Sequence, residues 1–307
     1  MGFEAGTTNY NPATSGQTNS FWLPEVFSKK VQVAFRKSAV AEAICNTDYM
    51  GEIAQFGDTV NIIKEPTITV TDYTRATTSL NSTVLTDQEL VLQVDQAKYF
   101  QFKVDDLEKR FSHVNWQQVA SDNAAYQLKD AFDVNVITAA VDGIGSNTYG
   151  TVAAPIDTGH DTGEVDPLDV LARLARLLDD ANVPEENRWV VAKPEFYEEL
   201  AKTSSKLLSV DYNQGNGGLR NGLVASGELR GFKMYKSSNV PTPTGAGSPT
   251  HQILAGHMSA VSCAQSLSTV ESIRDNDSFK DIVRGLLVWG RKVLRPEALA
   301  LAIIKID

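Results

Sequence analysis

The sequence predicts an α+β protein in which helix-forming and strand-forming segments occupy different parts of the chain. Three observations carry this prediction. Residues 115–141 have a helical pattern without Pro or Gly, residues 57–104 alternate apolar and polar side chains, and residues 166–265 mix both patterns. With 307 residues, the chain is long enough for a full core and for two lobes.

The composition excludes several classes of protein. The chain is 42% hydrophobic and 21% charged, which is typical of a globular protein. No apolar run reaches the length of a membrane span, so we expect no membrane partner. The formal net charge of −10 argues against a surface that grips nucleic acid, but it is compatible with a protein that encloses it. Cys45 and Cys263 belong to no metal-ligand or redox motif, which predicts reduced thiols in a protein made in a cytoplasm.

The first 50 residues are predicted to form an N-terminal arm and a helix. Residues 1–20 are rich in Thr, Asn, Ser and Gly and have few apolar side chains. We therefore expect this arm to become ordered only on a partner. Residues 23–44 carry apolar side chains at helical spacing, and Pro24 suits a first helical turn.

Residues 57–104 predict a long β-hairpin, inside a region that extends over residues 51–112. One limb alternates over residues 60–70, and the return limb alternates over residues 90–104. An isolated two-stranded hairpin is marginally stable in water, and the chain offers little spare surface, so we predict that the hairpin lies on a neighbouring subunit. The predicted contact residues lie at its polar tip and are Tyr73, Thr74, Arg75, Leu80 and Asn81.

The helical pattern over residues 115–141 predicts a helix roughly 40 Å long, at about 1.5 Å per residue. Its small and apolar residues recur every three or four positions, which places them on one side. Such a long and only moderately apolar helix is typical of a spine across which other segments lie. Together with the loop that follows, it occupies residues 113–165.

Residues 166–270 predict a compact α/β lobe. Asp166 followed by Pro167 is a good helix start, because Asp accepts hydrogen bonds from the first free N–H groups and Pro tolerates the first turn. Residues 188–192 predict a short buried strand, and Pro194 begins a second helix. Residues 271–307 return to strands, and the apolar end of the chain is expected to be tied into a sheet.

The sequence contains no motif that carries catalytic chemistry. No phosphate-loop, zinc-protease or paired-cysteine pattern is present, and the four histidines are scattered. Adjacent Asp105 and Asp106 would point to opposite faces of a strand, so they cannot act as a carboxylate pair. We therefore predict no catalytic, cofactor-binding or metal-ligating residue, no cofactor and no enzymatic activity.

The order of these parts resembles the Hong Kong 97-type major capsid proteins of tailed double-stranded DNA bacteriophages, and the likeness extends from about residue 23 onward. The local phrases that carry it are FGDTV at 56–60, YQLKDAFD at 126–133, RWVV at 188–191, PEFY at 194–197, GFKMYKSSNVP at 231–241, LAGH at 254–257, RGL at 284–286 and GRKVLRPE at 290–297.

The resemblance implies a domain organisation. The arm and helix would occupy residues 1–50, the extended β-hairpin loop 51–112, and the peripheral-domain spine helix with its linker 113–165. Residues 166–270 would form the α/β axial domain. Residues 271–307 would return to the peripheral domain.

The resemblance also implies a function. The chain would assemble through pentamers and hexamers into an icosahedral shell that encloses the double-stranded DNA genome without sequence-specific binding. Its partners would be copies of itself, a separate scaffolding protein, a portal protein and, optionally, a decoration protein. It would be assembled in the host bacterial cytoplasm and reside in the virion capsid. Two alternatives remain open at this point, an encapsulin-like protein nanocompartment and an oligomeric α/β enzyme.

Overall fold

A computed structural model describes a large part of the chain, namely residues 36–37, 39–49, 59–64, 68, 70, 72, 75, 88–106, 116–202, 219–220, 223–224, 228–243, 250–267 and 270–306. The predicted arm, residues 1–20, lies outside the described residues. The same is true of Tyr73, Thr74, Leu80 and Asn81 at the predicted hairpin tip.

The helices of the described part are α1 (Ala41–Ile44), α2 (Trp116–Asp142), α3 (Pro167–Asp180) and α4 (Pro194–Ala201). The strands are β1 (Thr59–Lys64), β2 (Gln88–Gln93), β3 (Gln96–Asp105), β4 (Thr148–Tyr149), β5 (Ile156–Asp157), β6 (Arg188–Ala192), β7 (Leu219–Arg220), β8 (Leu223–Val224), β9 (Glu228–Leu229), β10 (Phe232–Lys236), β11 (Thr250–His257), β12 (Val261–Leu267), β13 (Glu271–Arg274), β14 (Lys280–Val293) and β15 (Leu299–Lys305). A 3-10 turn, Pro296–Ala298, precedes β15.

The predicted spine helix is confirmed as α2, a helix of 27 residues. It packs on the sheet that contains β14, where the ring of Phe132 meets Trp289 edge to face with centroids 6.0 Å apart. The indole N–H of Trp289 donates a hydrogen bond of 3.0 Å to Asn135 on the same helix. At the end of α2, a Cβ on Gly143 would lie 2.5 Å from Val293, so glycine lets the helix end against β14.

The lobe is built on a seven-stranded sheet of order β4-β15-β11-β6-β10-β9, with β5 also paired to β15. Helices α3 and α4 pack on one face, where Leu171 and Leu174 lie among Val190 and Ile253 in a buried cluster. Residues of the opposite face, such as Trp189, belong to the cluster that includes α2. Every residue of β6 is therefore buried, as a strand covered on both faces requires.

The predicted start of α3 is confirmed in atomic detail. The Asp166 side chain accepts a hydrogen bond of 2.9 Å from the N–H of Leu168, and Pro167 occupies the first turn. The helix ends at Asp180, close to the expected end near residue 181. The predicted helix that begins at Pro194 is also present.

The prediction that residues 90–104 form one continuous return limb of the hairpin is wrong, because these residues belong to two strands in different sheets. Strand β2 pairs antiparallel with β1, whereas β3 pairs antiparallel with β14. The sequence does not reveal the break because both strands bury one face and therefore keep the same alternation.

The predicted boundary between residues 270 and 271 does not separate the sheets. Strand β12, expected in the lobe, pairs with β14 in a four-stranded sheet that also contains β3 and β13. Strand β15, expected outside the lobe, pairs with β11 inside the lobe sheet. Pairing between strands that are far apart in the sequence decides which sheet each strand joins. The alternation of apolar and polar residues along one strand does not specify its partner strand.

Two further sequence expectations concern membranes and thiols. Among the described residues, no helix is long and apolar enough to cross a membrane. Cys45 and Cys263 are both free and buried. A hydrogen bond to Cys263, together with burial, holds the pKa of the Cys45 thiol well above its usual range. This makes Cys45 a poor nucleophile near neutral pH.

Candidate assembly interface

The hairpin β1–β2 is the part of the described chain that best fits a contact with another subunit. Of the predicted tip residues, the structure describes Arg75 alone, and it is exposed. The predicted tip contact therefore stays a prediction, and the two paired strands supply the geometry.

One face of the hairpin is anchored on its own chain. Leu92 and Val94 are buried together with Ala264 of β12 and Val288 of β14, and Val60 and Ile62 pack against this cluster. A Cβ on Gly290 would lie 2.4 Å from the carbonyl oxygen of Gln93, so glycine allows the end of β2 to rest on β14. We expected the chain to offer little spare surface for the hairpin, but its base does pack on strands of the same chain.

The opposite face of the hairpin is open and partly apolar. We call this the outer face, and it consists of Asn61, Ile63, Glu89 and Val91. Ile63 is 74% exposed and Val91 is 43% exposed. In the antiparallel register Ile63 faces Glu89 and Asn61 faces Val91, which makes the two apolar residues diagonal neighbours.

Two apolar residues that follow β1 in the sequence are also exposed. Ile68 and Val70 are 66% and 95% exposed. Single exposed apolar residues are ordinary, but Ile63 and Val91 are diagonal neighbours on one face, which gains stability when a partner covers it. The sequence held a signal for this, because adjacent Ile62 and Ile63 break the alternation and one of them must face outward.

The turn between β13 and β14 is a second exposed feature, and its own chain holds it in place. Arg274 pairs with Asp106 and Asp281, and Lys103 Nζ lies 2.8 Å from Asp275 Oδ2. Hydrogen bonds from Lys103 and Ser278 hold the pKa of Asp275 at about 2. Asp105 pairs with Lys280 and Asp106 pairs with Arg274, so the two adjacent carboxylates serve separate cross-strand ion pairs.

A cavity of about 430 Å³ lies between α2 and the four-stranded sheet. Its walls are mainly apolar, with Phe100, Leu128 and Leu287 among them, and an ion pair between Glu42 and Lys129 lies at its edge. Within the described ranges, no group of three or more His, Cys, Asp or Glu residues could hold a metal ion.

The described part thus combines an α+β core with a hairpin that has an apolar outer face. Residues 87–302 match the family model described as phage capsid protein, so the chain belongs to that family. The predicted Hong Kong 97-type α+β fold is thereby confirmed, and the protein is a structural, non-enzymatic component of an icosahedral phage capsid. Neither the nanocompartment nor the enzyme alternative is favoured.

Solved structures share this fold. A structure from Mycobacterium phage Che8 has a TM-score of 0.79 and 28% identity, with 92% of this chain and 97% of that chain covered. The capsid structure of the cyanophage P-SCSP1u has a TM-score of 0.72 at 18% identity, with 95% of each chain covered. The mature capsid of bacteriophage PhiM1 has a TM-score of 0.65 at 16% identity, with 97% of this chain and 99% of that chain covered. No curated protein matches the chain by sequence.

Membership of this family places the protein in the virion capsid. Proteins of the family assemble into multimeric shells, so copies of the chain itself are its principal partners.

Proposed function

We propose that this chain is the major building block of a phage shell and assembles through pentamers and hexamers around a double-stranded DNA genome. Membership of the phage capsid protein family supports the proposal. Assembly would take place in the host bacterial cytoplasm. The observation that carries the assembly mechanism is the outer face of the β1–β2 hairpin, which exposes Ile63 and Val91.

In this mechanism the hairpin projects from the subunit, is anchored at its base and has one uncovered face. The buried contacts of Leu92 and Val94 fix the direction in which the hairpin leaves its own subunit. The outer face then covers its apolar side chains on a neighbour. Such a contact joins two different surfaces of the subunit, so it is heterologous. When each subunit makes this contact with the next, the subunits form a closed ring if the rotations between them add up to a full turn.

The tip would extend the same contact. We propose that Tyr73, Thr74, Arg75, Leu80 and Asn81 reach the neighbouring subunit beyond the outer face. A single exposed ion pair there, such as one made by Arg75, contributes only about 0–1 kcal/mol. The apolar outer face would therefore supply most of the free energy of this contact.

We also propose an assignment of domains that follows the sheets. The α/β axial domain would contain residues 166–257 together with β15. The peripheral domain would contain the spine helix α2 and the sheet of β3, β12, β13 and β14. The pairing of β15 with β11, and of β12 with β14, supports this division.

The remaining partners follow from the charge and from the family. A formal net charge of −10 favours a shell that encloses DNA while binding its phosphates weakly. A separate scaffolding protein, a portal protein and, optionally, a decoration protein would complete the particle.

A substitution on the outer face tests the assembly mechanism. Ile63→Asp and Val91→Asp each place a charge where a partner would exclude water, although both side chains are exposed in the subunit. We expect circular dichroism and the melting temperature of the subunit to stay near wild type. Shells should be lost in negative-stain images, with capsomers or monomers in sedimentation.

The matched control is Asn61→Asp, on the same strand and the same face. This change adds a charge at a position that is already polar, so it should reduce assembly much less. Normal shells from both Ile63→Asp and Val91→Asp would show that the outer face is not an inter-subunit contact. A wild-type protein that forms no shell even when it is co-expressed with its scaffolding protein would instead contradict the proposed function.

A further inference from the structure

Three parts of the chain meet at one partly buried polar junction beside the spine helix. The junction consists of the side chains of Lys37, Asp130, Asp133 and Asn239, and we call this group the clasp. Lys37 comes from the N-terminal segment, the two Asp residues come from α2, and Asn239 comes from the lobe just after β10.

Asp133 is the centre of the clasp. It is fully buried, a position that a carboxylate occupies only when its oxygens are satisfied. One oxygen accepts hydrogen bonds from the backbone N–H groups of Val40 and Ala41, at 2.6 and 2.7 Å. The other oxygen accepts a hydrogen bond of 2.9 Å from the side-chain amide of Asn239.

These backbone contacts explain why α1 begins where it does. Val40 precedes the helix and supplies no side-chain cap, so its first N–H groups need an acceptor from elsewhere. Asp133 supplies that acceptor from a helix more than 90 residues away, since its separation from Ala41 is 92 residues. The N-terminal segment is held further by the N–H of Lys37, which donates to the Tyr126 hydroxyl at 2.8 Å.

Asn239 uses its whole amide group in the clasp. Its nitrogen donates to Asp130 at 2.7 Å as well as to Asp133, and its oxygen accepts from Lys37 Nζ at 3.1 Å. Two carboxylates require the donor end of the amide, so its orientation is determined. An Asp at this position would place a third carboxylate beside the two that are present.

The clasp differs in kind from the rest of the contact between lobe and spine. Around it, Phe132 and Val136 of α2 share one apolar cluster with Trp189, Leu254 and Val240 of the lobe. Apolar burial is non-directional, so this cluster holds the lobe close without selecting one angle. Hydrogen bonds from Asn239 are directional, and a satisfied buried polar network selects a single arrangement.

We propose that the clasp sets the angle between the lobe and the spine helix, and thereby the curvature of the assembled shell. Asp133 and Asn239 are its central positioning residues, and Lys37 holds the side-chain oxygen of Asn239. The inference rests on the proposed function, because it requires shells. Every subunit repeats the same contacts, so a small change of angle within the subunit is multiplied around each ring. Loss of the clasp should therefore alter shell size more than it alters the presence of shells.

The test is the diameter distribution of shells, measured by cryo-electron microscopy, for wild type, Asn239→Ala and Lys37→Ala. We expect Asn239→Ala to give several size classes or a shifted mean diameter. Lys37→Ala removes only the half-exposed member of the clasp, so it should fold and broaden the distribution less. The control Thr242→Ala removes a hydrogen bond from Lys193 to the same loop and leaves the four clasp side chains unchanged, so its shells should match wild type.

Shells of a single wild-type diameter from both clasp variants would overturn the inference. If Asn239→Ala fails to fold, Lys37→Ala alone decides, and a uniform wild-type diameter then overturns it. The two proposals fail in different ways. Absence of shells from the wild-type protein co-expressed with its scaffolding protein contradicts the proposed function, whereas uniform shells from the variants contradict only the role of the clasp.

Discussion

The lobe sheet and the β1–β2 hairpin differ in how many of their faces are covered within the chain. Strand β6 in the lobe is buried at every residue, because α3 and α4 cover one face and residues of the spine cluster cover the other. The hairpin is covered on one face only, and Ile63 on the other face is 74% exposed. Both faces of β6 are covered within one chain, whereas in the proposed mechanism the hairpin would gain its second cover from another copy.

This difference separates stability from assembly. Changes inside the lobe should lower the stability of the subunit and affect shells only indirectly. Changes on the outer face of the hairpin should leave the subunit stable and affect shells directly. The predictions that follow test this separation, beginning with the largest expected effect.

The largest effect on subunit stability is expected from Leu174→Ala in α3. Leu174 is fully buried in the lobe cluster, so its truncation removes apolar burial and leaves a cavity. Substitutions of this kind cost about 2–5 kcal/mol. Denaturant unfolding of the subunit measures the loss, and Arg176→Ala, at an exposed position of the same helix, is the control. A loss below about 1 kcal/mol would mean that the lobe is less tightly packed than its burial indicates.

A smaller and more local effect is expected from Leu92→Ala at the base of the hairpin. Leu92 is also fully buried, but its cluster contains only four buried residues among those described. We expect faster amide exchange in β1 and β2, with little change in β6 and β11, because regions of low contact density open independently. Equal acceleration in the lobe would show that the two regions unfold together.

Removal of the helix cap at Asp166 should have a moderate effect. Its carboxylate accepts the N–H of Leu168 at the start of α3, and loss of such a cap costs about 1 kcal/mol. The melting temperature of Asp166→Ala should fall accordingly, whereas Asp166→Asn should recover most of the loss. An unchanged melting curve for Asp166→Ala would mean that this cap does not stabilise the subunit.

The smallest effect is expected at the β13–β14 turn, which is exposed like the hairpin but is held by its own chain. Lys103 and Ser278 lower the pKa of Asp275 from 3.8 to about 2. A carboxyl whose pKa is lowered on folding stabilises the fold above pH 3.8, and that contribution disappears as the pH falls through about 2.

Titration of the Asp275 carboxyl carbon by NMR measures this shift. In Lys103→Met the pKa of Asp275 should rise towards 3.8, because the largest cause of its depression is removed. A pKa near 2 in that variant would mean that Lys103 does not hold the turn.

The sequence determined the elements whose causes are local. A run of 27 helix-compatible residues without Gly or Pro was enough to predict α2, and the Asp166-Pro167 pair was enough to place the start of α3. The buried strand β6 followed from a short apolar run. Part of the candidate interface was also within reach, since alternation predicted the hairpin and adjacent Ile62 and Ile63 required one apolar side chain to face outward.

The tertiary structure decided which segments meet. Alternation gives each strand a buried face but does not choose its partner, so the pairing of β15 with β11 and the break between β2 and β3 could not be read from the pattern. The clasp is the extreme case, because Asn239 and Asp133 are 106 residues apart and the two sequence motifs that contain them do not reveal that they meet. Their hydrogen bond exists only because the packing of the lobe on the spine brings a loop to a buried carboxylate, and that packing depends on the whole apolar cluster.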